Sequence, residues 1–104
     1  MGKQNLLNFL QIFCVGREGR ISSAELERAI GISPTELRKQ VNRLRRNSIP
    51  VASDRHGYFY AETAGEIYAT IRQLHAMARG LEAAIQGLER SLDHFGMQGG
   101  ESHR

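Results

Sequence analysis

The sequence predicts a mostly helical protein in which one small β-hairpin separates a group of short helices from a long C-terminal helix. Three observations support this fold class. Residues 22–46 contain two helix-start signals separated by a glycine-containing turn. Residues 49–61 are rich in β-branched and aromatic side chains, and residues 63–95 repeat apolar side chains every three or four positions. A chain of 104 residues can bury one modest core.

The most informative segment, residues 33–46, predicts a capped amphipathic helix. Ser33 is a good N-cap, Pro34 fits the first helical position, and Glu36 completes a capping box. A buried stripe at i, i+4 and i+7 consists of Leu37, Val41 and Leu44. The opposite face consists of Thr35, Lys39, Asn42 and Arg46, with Arg38 and Arg43 on its flanks. Five cations against one carboxylate between residues 34 and 46 predict a surface that binds polyanions.

A second capped helix is predicted just before this one. Ser22 and Glu25 form a capping box at its start. Its expected apolar members are Ala24, Leu26, Ala29 and Ile30. Gly31 then favours the left-handed conformation that commonly ends a helix. Two short capped helices joined by a tight glycine-containing turn are typical of a helix-turn-helix.

A first amphipathic helix is predicted from Lys3 to about Cys14. Its buried stripe is expected to contain Leu6, Leu10 and Phe13. Cys14 is the only cysteine, so the chain has no internal disulfide, and we interpret this residue as a small buried hydrophobe. The four histidines have no metal-ligand spacing, so neither a metal nor another cofactor is expected.

The residues after Arg46 predict a β-hairpin. Ile49–Ser53 and Tyr58–Ala61 are the expected strands, and Asp54–Gly57 is the expected four-residue loop. Pro50 lacks an amide hydrogen, which suits an edge strand. The aromatic run from Tyr58 to Tyr60 is interpreted as core beneath the hairpin rather than a platform for unpaired bases. A hairpin directly after a basic helix is typical of a wing.

The last predicted helix is long and carries a continuous seam. Thr63 and Glu66 form a third capping box at its start. The seam residues alternate four and three positions apart: Ile67, Ile71, Leu74, Ala78, Leu81, Ile85, Leu88, Leu92 and Phe95. This 3.5-residue repeat predicts a coiled-coil seam, and residues 64–95 would extend roughly 48 Å as a helix. Such a length favours pairing with a second copy over folding back as a lid, and leaves parallel, antiparallel and four-helix arrangements open.

Charge and periodicity together divide the chain into three parts. Residues 1–62 are expected to form a DNA-binding domain, residues 63–95 a dimerisation helix, and residues 96–104 a flexible tail. Residues 17–61 carry a net charge of +4, whereas residues 62–95 carry −2. No apolar run is long enough to span a bilayer and no signal peptide is visible, so we expect a cytoplasmic protein without membrane contact.

Residues 21–60 resemble the winged helix-turn-helix class typified by the DNA-binding domain of the biotin repressor, the type 11 helix-turn-helix domains. The resemblance is carried by Ile21–Leu26, Ile30–Ser33, the positions Leu37, Val41, Leu44 and Arg45, Ile49–Asp54 and Gly57–Tyr58. Small winged-helix proteins of bacteriophages and prophages are similar. The resemblance implies that the helix from Pro34 enters the major groove while the hairpin loop flanks it. It covers about 40 of 104 residues, and neither ligase activity nor biotin binding follows from it.

The expected DNA contacts fall into three groups. Base edges are assigned to Thr35, Lys39 and Asn42, near the N-terminal half of the basic helix. Phosphates are assigned to Arg38, Arg43, Arg45 and Arg46, although the Arg45 stem has the alternative of covering apolar surface. The wing tip adds Arg55 and His56, with a solvated turn as the alternative. Arg17 and Arg20 are weaker candidates for backbone contacts.

These features predict a dimeric transcriptional regulator that binds a specific sequence of double-stranded DNA. Two alternatives stay open: a DNA-binding accessory protein of phage-type replication, packaging or segregation, and a protein-interaction adaptor built on a winged-helix domain. No nucleophile elbow, phosphate-cradling glycine loop or zinc motif is present, so we expect no enzyme activity and no small-molecule ligand.

Overall fold

The computed structural model describes residues 5–96 and has the predicted fold class, a helix-rich chain with a two-stranded hairpin and a long C-terminal helix. Its elements are α1 (Leu6–Phe13), α2 (Ser23–Ile30), α3 (Pro34–Arg46), β1 (Val51–Asp54), β2 (Gly57–Tyr60) and α4 (Ala64–Ser91). Short 3-10 turns cover Arg17–Gly19 and Leu92–Phe95. Apart from Gly96, the predicted tail lies outside the described residues. The chain divides into two compact units between Ile71 and Arg72.

Each α-helix begins at a polar side chain that accepts a hydrogen bond from the first turn. Ser22 accepts from the Glu25 amide and Ser33 from the Glu36 amide, both at 3.1 Å. Asn5 and Thr63 cap α1 and α4 in the same way. These contacts satisfy amides that have no partner within the helix. The three predicted helix-start signals are therefore confirmed, because α2, α3 and α4 begin directly after Ser22, Ser33 and Thr63.

The core of the first unit is formed by α1, α2, α3 and β1. Its buried cluster comprises Leu6, Leu10, Cys14, Leu26, Ile30, Leu37, Val41 and Val51. Phe59 of β2 is also fully buried, and Tyr58 and Tyr60 pack against the cluster, which confirms the interpretation of the aromatic run as core. The interpretation of Cys14 as a buried hydrophobe is confirmed as well, and burial raises the pKa of its thiol.

The prediction that Phe13 is buried is wrong, and two apolar members of the second helix, Ala24 and Ala29, are exposed as well. Phe13 is 62% exposed, because α1 ends at this residue and the chain turns so that Cys14 takes the inward position. The Phe13 ring instead packs against Phe9, with ring centroids 5.0 Å apart. Ala24 and Ala29 are exposed because Leu26 and Ile30, one turn apart, already form the inner face of α2.

The hairpin is tighter than the predicted one. β1 and β2 pair antiparallel, with Val51 opposite Tyr60 and Asp54 opposite Gly57. The predicted four-residue loop is therefore wrong, because Asp54 and Gly57 close the ladder and leave only Arg55 and His56 in the turn.

The outer edge of β2 is covered by the segment that follows α1. Ile21 exchanges two backbone hydrogen bonds with Tyr58, at 2.9 and 3.0 Å. The Tyr60 amide donates to the Cys14 carbonyl oxygen at 2.7 Å, and the Gly16 amide donates to the Tyr60 carbonyl oxygen at 2.8 Å. The edge of β2 that faces away from β1 is thus paired with the segment between α1 and α2.

The start of α4 belongs to the first unit. Thr70 is buried, and its hydroxyl oxygen accepts from the Ser53 amide at 3.1 Å. Beyond Ile71, α4 forms most of the second unit and ends at Ser91. Leu92 and Phe95, the last two residues of the predicted seam, lie in a 3-10 turn, so the predicted continuous helix to residue 95 is four residues too long.

Candidate nucleic-acid interface

The turn between α2 and α3 is fixed by backbone hydrogen bonds and by one left-handed glycine. Gly31 has φ +74°, and its amide donates to the Glu27 carbonyl oxygen at 2.8 Å. The Ile32 amide donates to the same carbonyl at 3.1 Å. The last residue of this three-residue turn is Ser33, whose side chain caps α3 by accepting from the Glu36 amide. The turn therefore determines where α3 begins.

The outer face of α3 is exposed along its whole length. Leu37 and Val41 hold the helix on the core, whereas the opposite side chains are all in solvent. The exposed residues are Thr35, Arg38, Lys39, Asn42, Arg43 and Arg46, which are six of the seven residues of α3 predicted to contact DNA. Within residues 5–96, no side chain of these six makes an ion pair or a hydrogen bond. The face therefore presents four uncompensated cations together with two neutral polar side chains.

The single carboxylate of α3 does not neutralise this face. Glu36 is half-buried, and its Oε2 atom accepts from the Gln40 side-chain amide at 3.1 Å. The predicted capping box at Ser33 is thus only half formed, since the carboxylate is turned along the helix. An anion that approaches the outer face meets the cations without a competing carboxylate of the same helix.

Arg45, one of the four arginines assigned to phosphates, makes contacts within the fold. Its guanidinium donates to the Val51 carbonyl oxygen at 2.8 Å and to the Ser53 hydroxyl at 3.1 Å. Burial of the side chain lowers the pKa of this guanidinium. Arg45 ties the C-terminal end of α3 to β1, so the relative position of the helix and the wing depends on it.

The tip of the wing consists of two exposed residues. Arg55 and His56 both point into solvent, and the His56 amide donates to the Asp54 side chain at 2.8 Å. Gly57 has φ +154°, and a Cβ built on it would lie only 2.1 Å from the Ile21 carbonyl oxygen. Only glycine permits this approach, so Gly57 determines where the two tip residues are placed.

Arg17 and Arg20, the weaker candidates for backbone contacts, converge on the wing. Both guanidinium groups approach Asp54 Oδ2, at 3.8 and 3.5 Å. Arg20 also donates to the Arg17 carbonyl oxygen, and the Arg17 guanidinium lies 5.9 Å from the centroid of the Phe59 ring. One carboxylate thus neutralises part of this second group of cations and braces the base of the hairpin.

Glu66 is a further residue whose role the sequence only partly indicates. Its Oε1 atom accepts from the Glu62 and Thr63 amides at 2.7 and 3.3 Å, and its Oε2 atom accepts from the Arg17 amide at 3.1 Å. These hydrogen bonds, that of Glu62 foremost, hold the pKa of Glu66 below its ordinary value. The capping box indicated the contact with Thr63. The contact with Arg17, 49 residues away, had no sequence signal.

The predicted seam of α4 lies open in the single chain. Ile67, which belongs to the first unit, is half-buried, and the later seam members are all exposed. The largest exposed fractions belong to Leu81 at 68%, Leu88 at 69% and Phe95 at 68%. Met77, on the same side, is 58% exposed. An apolar stripe of this length in water is a strong candidate for an interface.

Other kinds of site have little to support them in the part of the chain that the structure describes. A shallow groove of about 290 Å³ lies between the first turn of α1 and α3, with Asn5, Asn8, Gln40 and Arg43 among its lining residues. No group of three or more potential metal ligands occurs within residues 5–96. The same residues include no helix with the length and apolar character needed to cross a membrane.

No protein-family model, curated protein or solved structure matches this chain.

Proposed function

We propose that this protein binds a specific sequence of double-stranded DNA through α3, as a homodimer joined by α4, and acts as a transcriptional regulator in the cytoplasm. The observation that carries the proposal is the unpaired basic face of α3. This helix is the second of two joined by a three-residue turn, and a hairpin is anchored beside it. A positively charged helix with its apolar side in the core and its polar side in water suits the major groove.

The division of labour on α3 follows from side-chain chemistry. Asn42 can pair bidentately with adenine, and Lys39 can donate to the O6 and N7 atoms of guanine. Arg38, Arg43 and Arg46 supply charge for phosphate oxygens, which positions the protein without selecting a sequence. Arg55 at the wing tip supplies a further cation for the adjacent backbone or minor groove.

The attachment of the wing to the elements on either side of it also supports this proposal. Arg45 fixes β1 to the end of α3, and Ile21 fixes β2 to the segment before α2. The strands that carry the tip residues Arg55 and His56 are thus attached to α3 on one side of the hairpin and to the segment before α2 on the other. A rigid second contact region limits the ways in which the protein can dock on a duplex.

Selection of bound sequences from a random duplex pool tests this proposal. We expect one sequence to be enriched, with two-fold related halves because the proposed dimer carries two copies of α3. The variant Lys39→Ala/Asn42→Ala should bind with a relaxed motif, since base contacts are lost while phosphate contacts remain. A matched control is Thr63→Ser, which keeps the α4 cap and lies away from α3.

The outcome of the same selection separates the alternatives. A pool without any enriched sequence, combined with salt-sensitive binding, would favour a sequence-independent DNA accessory role. A gel-shift assay that stays blank with both duplex and single-stranded DNA would contradict DNA binding and favour a protein-interaction adaptor.

A further inference from the structure

The exposed seam of α4 has two edges of different chemistry. We define the neutral edge as Met77, Ala84 and Ser91, which lie one position before the seam residues Ala78, Ile85 and Leu92. We define the charged edge as Arg72, His75, Arg79, Glu82, Glu89 and Asp93, which lie on the other side of the seam. In heptad terms, His75, Glu82 and Glu89 directly border the seam, and Arg72, Arg79 and Asp93 lie one step further out.

Charge on this edge is segregated along the helix. Arg72, His75 and Arg79 come first, and every ionisable residue of the edge after them is acidic. Arg90 is the one cation of the second half, and it lies at the position opposite the seam. The charged edge therefore has a basic N-terminal half and an acidic C-terminal half.

These charges have no partner of opposite sign within residues 5–96. The two ion pairs of the described residues both involve Asp54, which is far from this edge in sequence. Glu82 contacts only the neutral amide of Gln86, at 3.4 Å. Opposite charges that stay unpaired in the single chain, beside an exposed apolar seam, are available to a second copy.

The two orientations of a second copy use these edges differently. In a parallel pair, the charged edge of one helix faces the neutral edge of the other, so no attraction arises. In an antiparallel pair, charged edges face each other head to tail. Arg72, His75 and Arg79 of one copy then lie along the half that carries Glu89 and Asp93 in the other, whereas Glu82 lies near the midpoint of the pair.

We infer that α4 pairs antiparallel with α4 of a second copy. This inference rests on the proposed homodimer and settles its orientation, which the seam periodicity alone leaves open. The apolar seam provides most of the association energy, whereas the exposed charges, each worth little alone, select the orientation. Antiparallel pairing also brings the two neutral edges together, where Ala84 and Ser91 permit close contact.

A charge-reversal experiment tests the orientation in the full chain. Variant Arg72→Glu/Arg79→Glu has an edge that is acidic at every position except His75, and variant Glu82→Lys/Glu89→Lys has an acidic residue only at Asp93. Each variant alone should dimerise about tenfold more weakly than the wild type at low salt, because like charges then face each other. An equimolar mixture should form a heterodimer about tenfold tighter than either variant alone. A mixture no tighter than its components would overturn the antiparallel arrangement.

Distances between spin labels provide a second test that does not depend on charge. Single cysteines at Ala76, Ala83 and Arg90, all opposite the seam, are introduced in a Cys14→Ala background. A parallel pair gives the same distance between equivalent labels at all three positions. An antiparallel pair cannot, because the axial offset changes by about 21 Å for every seven residues.

Failure of this inference and failure of DNA binding give different results. Equal distances at the three labels, or a monomer by sedimentation at every concentration, would overturn the inference. Both measurements are made without DNA, so the basic face of α3 is tested separately by duplex titration. Unequal label distances in a protein that does not bind duplex DNA would support the inference and contradict the proposed function.

Discussion

The Arg45 guanidinium donates to the Val51 carbonyl oxygen at 2.8 Å, which joins the C-terminal end of α3 to the first strand of the wing. The same side chain reaches the Ser53 hydroxyl. Within the basic run that ends α3, this arginine stabilises the fold while its neighbours Arg43 and Arg46 stay in solvent. Similar residue types next to each other thus serve different purposes.

Arg45→Ala should destabilise the protein by about 1–3 kcal/mol, because it removes a charge-assisted hydrogen bond to a partly buried carbonyl. Thermal unfolding at a fixed protein concentration measures this loss. Arg46→Ala is the matched control and should change stability by less than about 0.5 kcal/mol, since its side chain is exposed. Equal unfolding temperatures for the two variants would contradict the structural role of Arg45.

Gly57→Ala should cost at least about 2 kcal/mol, because the new Cβ would lie against the Ile21 backbone and force the wing away from it. The Cβ position is 2.1 Å from the Ile21 carbonyl oxygen, so the backbone itself must shift. The Tyr58 amide donates to the Ile21 carbonyl oxygen, so we expect its hydrogen exchange to be slow in the wild type and faster in the variant. Unchanged protection of that amide would show that the close approach is not needed.

Gly80→Ala and Gly31→Ala should have opposite effects although both sites have open space for a Cβ. Gly80 lies inside α4, where alanine should raise the free energy of unfolding by about 0.5–1 kcal/mol. Gly31 has φ +74°, so alanine there should lower stability by about 1 kcal/mol. Denaturant unfolding of both variants at one protein concentration makes the comparison. A stabilised Gly31→Ala variant would be inconsistent with the left-handed turn before α3.

Glu66 should contribute to the pH dependence of stability. Its folded-state pKa lies below the ordinary value of 4.5, so its contribution is present above pH 4.5 and is lost as the pH falls through the folded-state pKa. Glu66→Gln should therefore be less stable than the wild type at about pH 6, and the difference should shrink at about pH 3. Melting curves across this range test it, and a constant difference at every pH would count against the carboxylate as the cause.

Local sequence signals were sufficient for most of the fold. Helix starts at Ser22, Ser33 and Thr63 follow from capping chemistry, which depends on residues only three apart. The hairpin follows from a change in periodicity between Arg46 and Tyr58. Loop length was misjudged because Asp54 and Gly57 favour turns by composition, yet the cross-strand ladder includes both of them.

Long-range contacts account for what the sequence did not indicate. Asp54 meets Arg17 and Arg20 across more than 30 residues, and Glu66 meets the Arg17 amide across 49. Arg45 is an arginine in a basic helix, which is the usual pattern of a DNA contact. In the structure its guanidinium donates to the Val51 carbonyl oxygen, in the strand that follows α3. Exposure of Phe13 likewise depends on where α1 ends.

A salt titration of duplex binding tests the proposal that the outer face of α3 contacts DNA. The logarithm of the association constant should fall linearly with the logarithm of salt concentration, and Arg43→Ala/Arg46→Ala should reduce the slope by about 2. Arg90→Ala removes one charge from α4 and should leave the slope unchanged. Binding that is insensitive to salt, or that survives the loss of both Arg43 and Arg46 with the same slope, would contradict the claim.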